Sequence, residues 1–135
     1  MPLLQRLLHY SISSLLAIAI LALLLWPTGE LTAAPQFNDK LVHAGLFGLL
    51  ALALWSEYSL RHPRGYWLRP LLLLTPCLVF FAGTSELLQA YLTQFGRMGD
   101  WGDFAADCVG IAAATPVGLL LLAWRKRVAQ GLSKP

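Results

Sequence analysis

The sequence predicts an all-α integral membrane protein, a four-helix bundle with a polar cluster at one membrane face. Only 13% of its 135 residues are charged, 57% are hydrophobic, and the mean hydropathy is +0.61. Soluble domains carry about 25% charged residues. The apolar residues also occur in long blocks, as in membrane-spanning helices. We therefore expect one transmembrane domain covering residues 1–135, with spans over approximately 10–26, 40–58, 68–92 and 103–124.

The first apolar block, residues 10–26, is short for a span, because a bilayer core of about 30 Å needs about 20 helical residues. Tyr10 and Trp26 stand at its two ends, where interfacial aromatic residues are favoured. A cleaved signal peptide is the alternative, since Arg6, an apolar run and the small residues 32–34 follow in that order.

The second block is expected to form a helix from about Asp39, capped by Asn38 or Asp39, to Tyr58. Its many small residues would let a neighbouring helix approach closely. Trp55 and Tyr58 mark its far boundary.

The third block, residues 68–92, contains Pro76, which could kink the helix. Glu86 and Gln89 lie in its last turns, inside an otherwise apolar segment. Ionisable residues within a span are costly and usually mark a function or a specific partner. We expect Glu86 to be paired with Arg97, Lys40 or His43.

The fourth block, residues 103–124, opens with Asp103, a possible N-cap. Helical spacing predicts one buried stripe along it, with carboxylates at the top and small residues below. The stripe consists of Asp103, Asp107, Gly110, Ala114 and Gly118. We expect the helix to end at the basic run 125–127 and the tail after it to be disordered.

The distribution of Lys and Arg predicts the orientation. The N-terminal segment carries one of these residues, the loop at 59–69 three and the C-terminal tail four, while the other two loops carry only Lys40 and Arg97. The positive-inside rule then places both termini in the cytoplasm. The remaining polar residues share the outer face.

That outer cluster supplies the candidate site residues. Catalytic candidates are Glu86, His43, Asp39 and Arg97. Ligand-binding candidates are Lys40, Gln89, Arg97, Asp100, Asp103 and Asp107. A set of structural ion pairs that hold the helices in register is the alternative. We favour a functional site, because five acidic groups exceed the two cations nearby.

Several other classes of protein are not indicated. The basic residues lie at the ends of apolar blocks rather than in a patch with aromatic residues, so we expect no nucleic-acid partner. Cys77 and Cys108 lie within apolar blocks and are expected to be buried, free thiols. The sequence has no phosphate-binding loop, dinucleotide fingerprint or metal-ligand spacing, and we expect neither a cofactor nor a metal ion.

The ordered set of motifs resembles the VanZ-like family of bacterial membrane proteins. Its elements are Asp39-Lys40-x-x-His43, Glu86-x-x-Gln89, Arg97, and the run of Asp100, Asp103, Asp107 and Gly110. Position 107 departs from the family pattern, where Asn is more frequent. The resemblance implies a multi-pass protein of the bacterial plasma (inner) membrane, with a link to glycopeptide (teicoplanin) resistance in the branch that includes the family's namesake.

Three functions remain open at this point. The first is an envelope protein whose outward polar pocket binds a lipid-linked ligand. The second is a membrane-embedded hydrolase or transferase that acts on a lipid-linked substrate, with Glu86 or His43 as the base and Arg97 stabilising negative charge. The third is a small proton-linked transporter with Glu86 and Asp107 as the relay. The sequence does not predict an oligomeric state.

Overall fold

The computed structural model describes residues 10–26, 36–62, 65–92 and 99–131, apart from the side chains of 36–38. These residues form four helices: α1 (Ser11–Leu25), α2 (Gln36–Arg61), α3 (Leu68–Tyr91) and α4 (Trp101–Gly131). Among the described residues, α2, α3 and α4 are long and apolar enough to cross a membrane, and α1 is a shorter apolar helix. The predicted all-α class is confirmed.

Helix α1 has 15 residues and so is about 22 Å long. Its first turn is bound by Glu57 of α2, whose carboxylate accepts hydrogen bonds from the backbone N–H of Ile12 at 3.0 Å and of Ser13 at 3.2 Å. The Ser13 hydroxyl also donates to Glu57. A buried carboxylate suits this position, because the first N–H groups of a helix lack partners and carry partial positive charge.

The other end of α1 is bound by α3. The Gln89 side-chain amide donates to the Leu24 carbonyl at 3.0 Å, which satisfies one of the unpaired carbonyls of the last turn. Because the end of α1 meets the end of α3, and the start of α1 meets the end of α2, α1 runs antiparallel to both. Ile20 and Leu24 place the buried face of α1 in the apolar core.

Helices α2 and α4 run parallel and pack closely. A methyl group on Gly110 would meet the backbone of Ala44, and one on Gly118 would meet the Trp55 indole. The predicted stripe of Asp103, Asp107, Gly110, Ala114 and Gly118 is buried along its whole length. Small residues at these positions let the two backbones approach, as sequence spacing predicted.

Two helix starts differ from those predicted. Helix α2 begins at Gln36, so Asp39 lies in its first turn and does not cap it. Helix α4 begins at Trp101, and its N-cap is Asp100 rather than Asp103. The Asp100 carboxylate accepts the Gly102 N–H at 2.9 Å, and its backbone carbonyl accepts the Asp103 N–H at 3.0 Å. These two contacts make Asp100, and not Asp103, the N-cap of α4.

The predicted end of α4 is wrong, because the helix continues through the basic run 125–127 to Gly131. The hydropathy pattern marks where apolar side chains stop, whereas the backbone hydrogen-bond ladder needs only residues that tolerate helix. Arg, Lys, Ala and Gln all do so. The segments around Pro76 and Pro116 also remain within α3 and α4. The expectation that both thiols are buried is wrong: Cys77 is exposed and Cys108 is half-buried, because an apolar helix has outward-facing positions as well as buried ones, and both thiols are free.

Candidate functional site

A group of polar side chains lies where α2 and α4 begin and α3 ends. We call it the polar cluster, and its members are Asp39, Lys40, His43, Glu86, Asp100, Asp103 and Asp107. All seven were predicted from the sequence to share one membrane face. The contacts among them join α2, α3 and α4 at this end of the bundle.

The exposed half of the polar cluster is centred on Lys40. Its ammonium group lies 3.0 Å from a carboxylate oxygen of Asp100 and 3.0 Å from one of Asp103. The Gly102 backbone N–H, and then the Lys40 ammonium group, hold the pKa of Asp100 below its usual value. Lys40, one of the three partners that the sequence offered for Glu86, therefore pairs with Asp100 and Asp103 instead.

The buried half of the polar cluster is centred on His43. Its Nδ1 atom lies 3.0 Å from Oδ1 of Asp107 and 3.6 Å from Oε1 of Glu86. The first distance is that of a hydrogen bond, which the imidazole N–H donates to the carboxylate. All three residues are buried. Glu86 therefore faces His43, one of its predicted partners, but the 3.6 Å between Oε1 and Nδ1 is too long for a hydrogen bond.

Two carboxylate oxygens in this half are left without partners. Oε2 of Glu86 accepts the Asp100 backbone N–H at 3.0 Å, but its Oε1 has no hydrogen-bond partner in the described part of the chain. Oδ2 of Asp107 is likewise buried and unpartnered there. Buried polar atoms are almost always hydrogen-bonded, so two orphaned oxygens at one place need a reason.

Ligand atoms from three helices converge at the same point. One atom each from His43, Glu86 and Asp107 lies within 4.8 Å of the others, and the same holds for Asp39, His43 and Asp103. The sequence predicted no metal site, since no pair of ligands has a metal-binding spacing. Residues 43, 86 and 107 lie on three different helices, so spacing along the chain has no bearing on their distance in space.

An apolar cleft opens beside the polar cluster, between α3 and the start of α4. Its volume is about 330 Å³, and its lining includes Glu86, Asp100 and several apolar side chains. The apolar ones include Phe80, Leu87, Trp101 and Phe104. Trp101 and Phe104 are in edge-to-face contact, with ring centroids 6.1 Å apart. The cleft therefore combines a carboxylate-bearing end with a wall of aromatic and aliphatic carbon.

The other predicted site residues have different surroundings. Gln89 is buried and uses its amide nitrogen to bind the end of α1, which makes it a link between helices. Asp39 is exposed on the first turn of α2. Arg97 lies outside the described residues, so its roles as catalyst and ligand stay predictions.

Sequence reasoning missed Glu57, which is buried at the opposite end of the bundle. A signal was present: Glu57 is the one acidic residue of the second apolar block, residues 40–58, and it lies between Trp55 and Tyr58. Those aromatic residues were interpreted only as a membrane boundary.

The arrangement has two chemical capacities. A histidine held by a buried carboxylate has a fixed orientation and tautomer, as in general-base dyads. Lys40 at the rim can meet an anionic group, although two aspartates already share its charge. No protein-family model, curated protein or solved structure matches the chain. The resemblance to the VanZ-like family is therefore not tested by these comparisons and stays a prediction.

Proposed function

We propose that this chain is a VanZ-like integral protein of the bacterial plasma membrane that binds a lipid-linked envelope ligand. The polar headgroup would lie at the polar cluster, and the hydrocarbon part in the apolar cleft. The observation that carries this proposal is that Glu86 and Asp100 belong to both features. An amphiphile needs such a boundary between polar and apolar surface.

In this proposal α1 is a fourth span, and both termini lie in the cytoplasm. Support comes from the two ends of α1, which are bound by Glu57 and Gln89 at opposite ends of the bundle. A helix fixed at both ends of its neighbours crosses the same thickness as they do, although it is short. The excess of Lys and Arg at the termini and in the loop at 59–69 supports the orientation.

Site-specific photocrosslinking in living cells tests the ligand. A photoreactive amino acid replaces Leu87, an exposed residue of the cleft, or Leu41, an exposed residue near the same end that does not line the cleft. Ordinary membrane lipids should be captured at both positions. We expect an additional lipid-linked species at position 87, identified by mass spectrometry of the adduct.

The headgroup contact is tested by adding Glu86→Gln or Lys40→Ala to the position-87 probe. Either change should reduce capture of the additional species several-fold and leave the bulk lipid adducts unchanged. Identical adducts at positions 87 and 41, insensitive to both changes, would refute the proposal. Survival of a complemented deletion strain on teicoplanin then shows whether the resistance link of the resembled family extends to this chain.

A second candidate is a membrane-embedded hydrolase or transferase that acts on the same class of ligand. The 3.0 Å contact between His43 and Asp107 favours it, because a buried carboxylate that orients an imidazole prepares it to remove a proton. A bound nucleophile such as water or a hydroxyl would pass that proton to His43 as it attacks the lipid-linked group, and the imidazolium would return the proton to the oxygen of the group that leaves.

Turnover separates the two candidates. Purified protein in nanodiscs is incubated with a total lipid extract of the source cells, and products are followed by mass spectrometry. An enzyme should consume a lipid-linked species, and His43→Asn should abolish turnover while capture at position 87 persists. If no species is consumed by wild-type protein that still captures the ligand, the chain is a binding protein.

A further inference from the structure

We infer that His43, Glu86 and Asp107 form a binding site for one divalent transition-metal ion, buried between α2, α3 and α4. This inference concerns the polar cluster but does not rest on the proposed lipid ligand, because the site needs only residues of this chain. Three observations carry it: the spacing of the ligand atoms, the orphaned oxygens and the balance of charge.

The spacing of the donor atoms suits a single ion. The Nδ1 atom of His43 lies 3.0 Å from Oδ1 of Asp107 and 3.6 Å from Oε1 of Glu86. Two ligands that are each about 2.1 Å from a metal are about 3.0 Å apart at a right angle and about 3.6 Å apart at roughly 120°. Both separations therefore match neighbouring positions in a coordination sphere, and a bound ion would displace the Nδ1 proton that His43 otherwise donates to Asp107.

The orphaned oxygens give an independent reason for a missing partner. Oε1 of Glu86 faces the imidazole at a distance too long for a hydrogen bond, and it has no other partner in the described part of the chain. Oδ2 of Asp107 is also unpartnered there. Glu86 is 7% exposed, His43 2% and Asp107 0%, so bulk water does not replace the absent partner.

Charge points to a divalent ion. Lys40 is bound to Asp100 and Asp103, and therefore the only described side chain near Glu86 and Asp107 that could carry positive charge is His43. Two buried carboxylates with a neutral imidazole carry two negative charges. A divalent cation makes this site neutral, and buried charges persist in proteins when they are paired or bound to metals.

The second convergent triad, Asp39, His43 and Asp103, is a weaker candidate. Asp39 is exposed, and Asp103 already pairs with Lys40. The donor set of the buried triad is one imidazole nitrogen and carboxylate oxygens, which suits Zn²⁺ or Mn²⁺ better than Mg²⁺ or Cu⁺. Three protein ligands leave coordination positions open, as in sites where a metal binds water or a substrate oxygen.

Metal binding to the full-length, untagged protein tests the inference. Protein in nanodiscs is stripped with a chelator and equilibrated with Zn²⁺, Mn²⁺ or Co²⁺. Bound metal is then counted by mass spectrometry. We expect about one equivalent for wild type, and at least a tenfold loss of affinity in Asp107→Asn and in Glu86→Gln. Glu57→Gln removes a buried glutamate at the opposite end of the bundle and is the matched control, expected to bind as wild type does.

Wild-type protein that is folded and binds less than a tenth of an equivalent of each ion overturns the inference, whatever the variants do. So does undiminished binding in both Asp107→Asn and Glu86→Gln. The X-ray absorption spectrum of zinc bound to the wild-type protein tests the ligand set without relying on variants, which could fail to fold. It should show nitrogen and oxygen ligands only, and a sulfur ligand would assign the ion to Cys77 or Cys108 and refute the site.

Discussion

The close approach of α2 and α4 makes Gly110→Ala a sharp test of the packing. A methyl group at position 110 would lie 2.9 Å from the carbonyl carbon of Ala44, 3.0 Å from its Cα atom and closer still to its oxygen. All three are backbone atoms, so no side-chain rotation relieves the overlap. Ordinary contact begins near 3.4 Å and the oxygen is the nearest of the three atoms, so the two helices must separate by about 1 Å or more.

The matched control is Gly45→Ala in α2, because a methyl group there meets nothing within 4 Å. Both changes replace a glycine inside a helix, so the gain in helix propensity of up to about 1 kcal/mol is common to both. The difference between the free energies of unfolding of the two variants therefore measures the cost of the steric overlap alone. Overpacking costs about 1–3 kcal/mol, and we expect Gly110→Ala to be less stable than Gly45→Ala by that amount.

Unfolding by SDS in mixed micelles, followed by tryptophan fluorescence, measures the two free energies. The separation of α2 and α4 should also move His43 away from Asp107, since both residues lie within one turn of the overlap. Their 3.0 Å contact would lengthen beyond about 3.5 Å, which is outside hydrogen-bond length. Equal free energies of unfolding for the two variants, within about 0.3 kcal/mol, would refute the packing described for α2 and α4.

Three further outcomes follow from single contacts. Glu57→Gln should lower the free energy of unfolding by about 1–3 kcal/mol, since hydrogen bonds from the first turn of α1 would lose a charged acceptor; an unchanged value would contradict the anchoring role. Gln89→Leu should cost about 1 kcal/mol and speed hydrogen exchange in the last turn of α1, and unchanged exchange would argue against that link. The pKa of Asp100 is depressed, so its pair with Lys40 contributes above pH about 4 and is lost only as pH falls through the lowered pKa. A carboxyl NMR titration should show a midpoint below the ordinary aspartate value, rising only partly in Lys40→Ala because the Gly102 N–H remains. A midpoint at the ordinary value in wild type would exclude the contact.

The two ends of the bundle use buried carboxylates differently. At one end Glu57 is fully engaged with the start of α1, and its role is to hold that helix. At the other end Glu86 and Asp107 each keep an oxygen without a partner among the described residues. The contrast adds support to the binding role proposed for the polar cluster, beside the shared position of Glu86 and Asp100 at the apolar cleft.

The sequence alone determined the features that depend on periodicity and composition. The long apolar blocks predicted the helices, and the spacing of Asp103, Asp107 and Gly110, four and then three residues apart, predicted the buried stripe of α4. Both follow from geometry inside one helix, which spacing along the chain describes completely. The sequence also predicted that the acidic residues of the polar cluster and Lys40 lie at one end of the bundle, because successive helices alternate in direction.

Tertiary structure alone decided which polar groups are partners. From the sequence, Glu86 had three possible partners and Lys40 could have been one of them, whereas the fold directs Lys40 to Asp100 and Asp103 and leaves His43 facing Glu86 and Asp107. The hydrogen bond between Glu57 and Ser13, which are 44 residues apart, could not be predicted from the sequence either. Such choices depend on how three helices rotate and slide against one another, and differences of a few ångströms in that packing decide which charges meet.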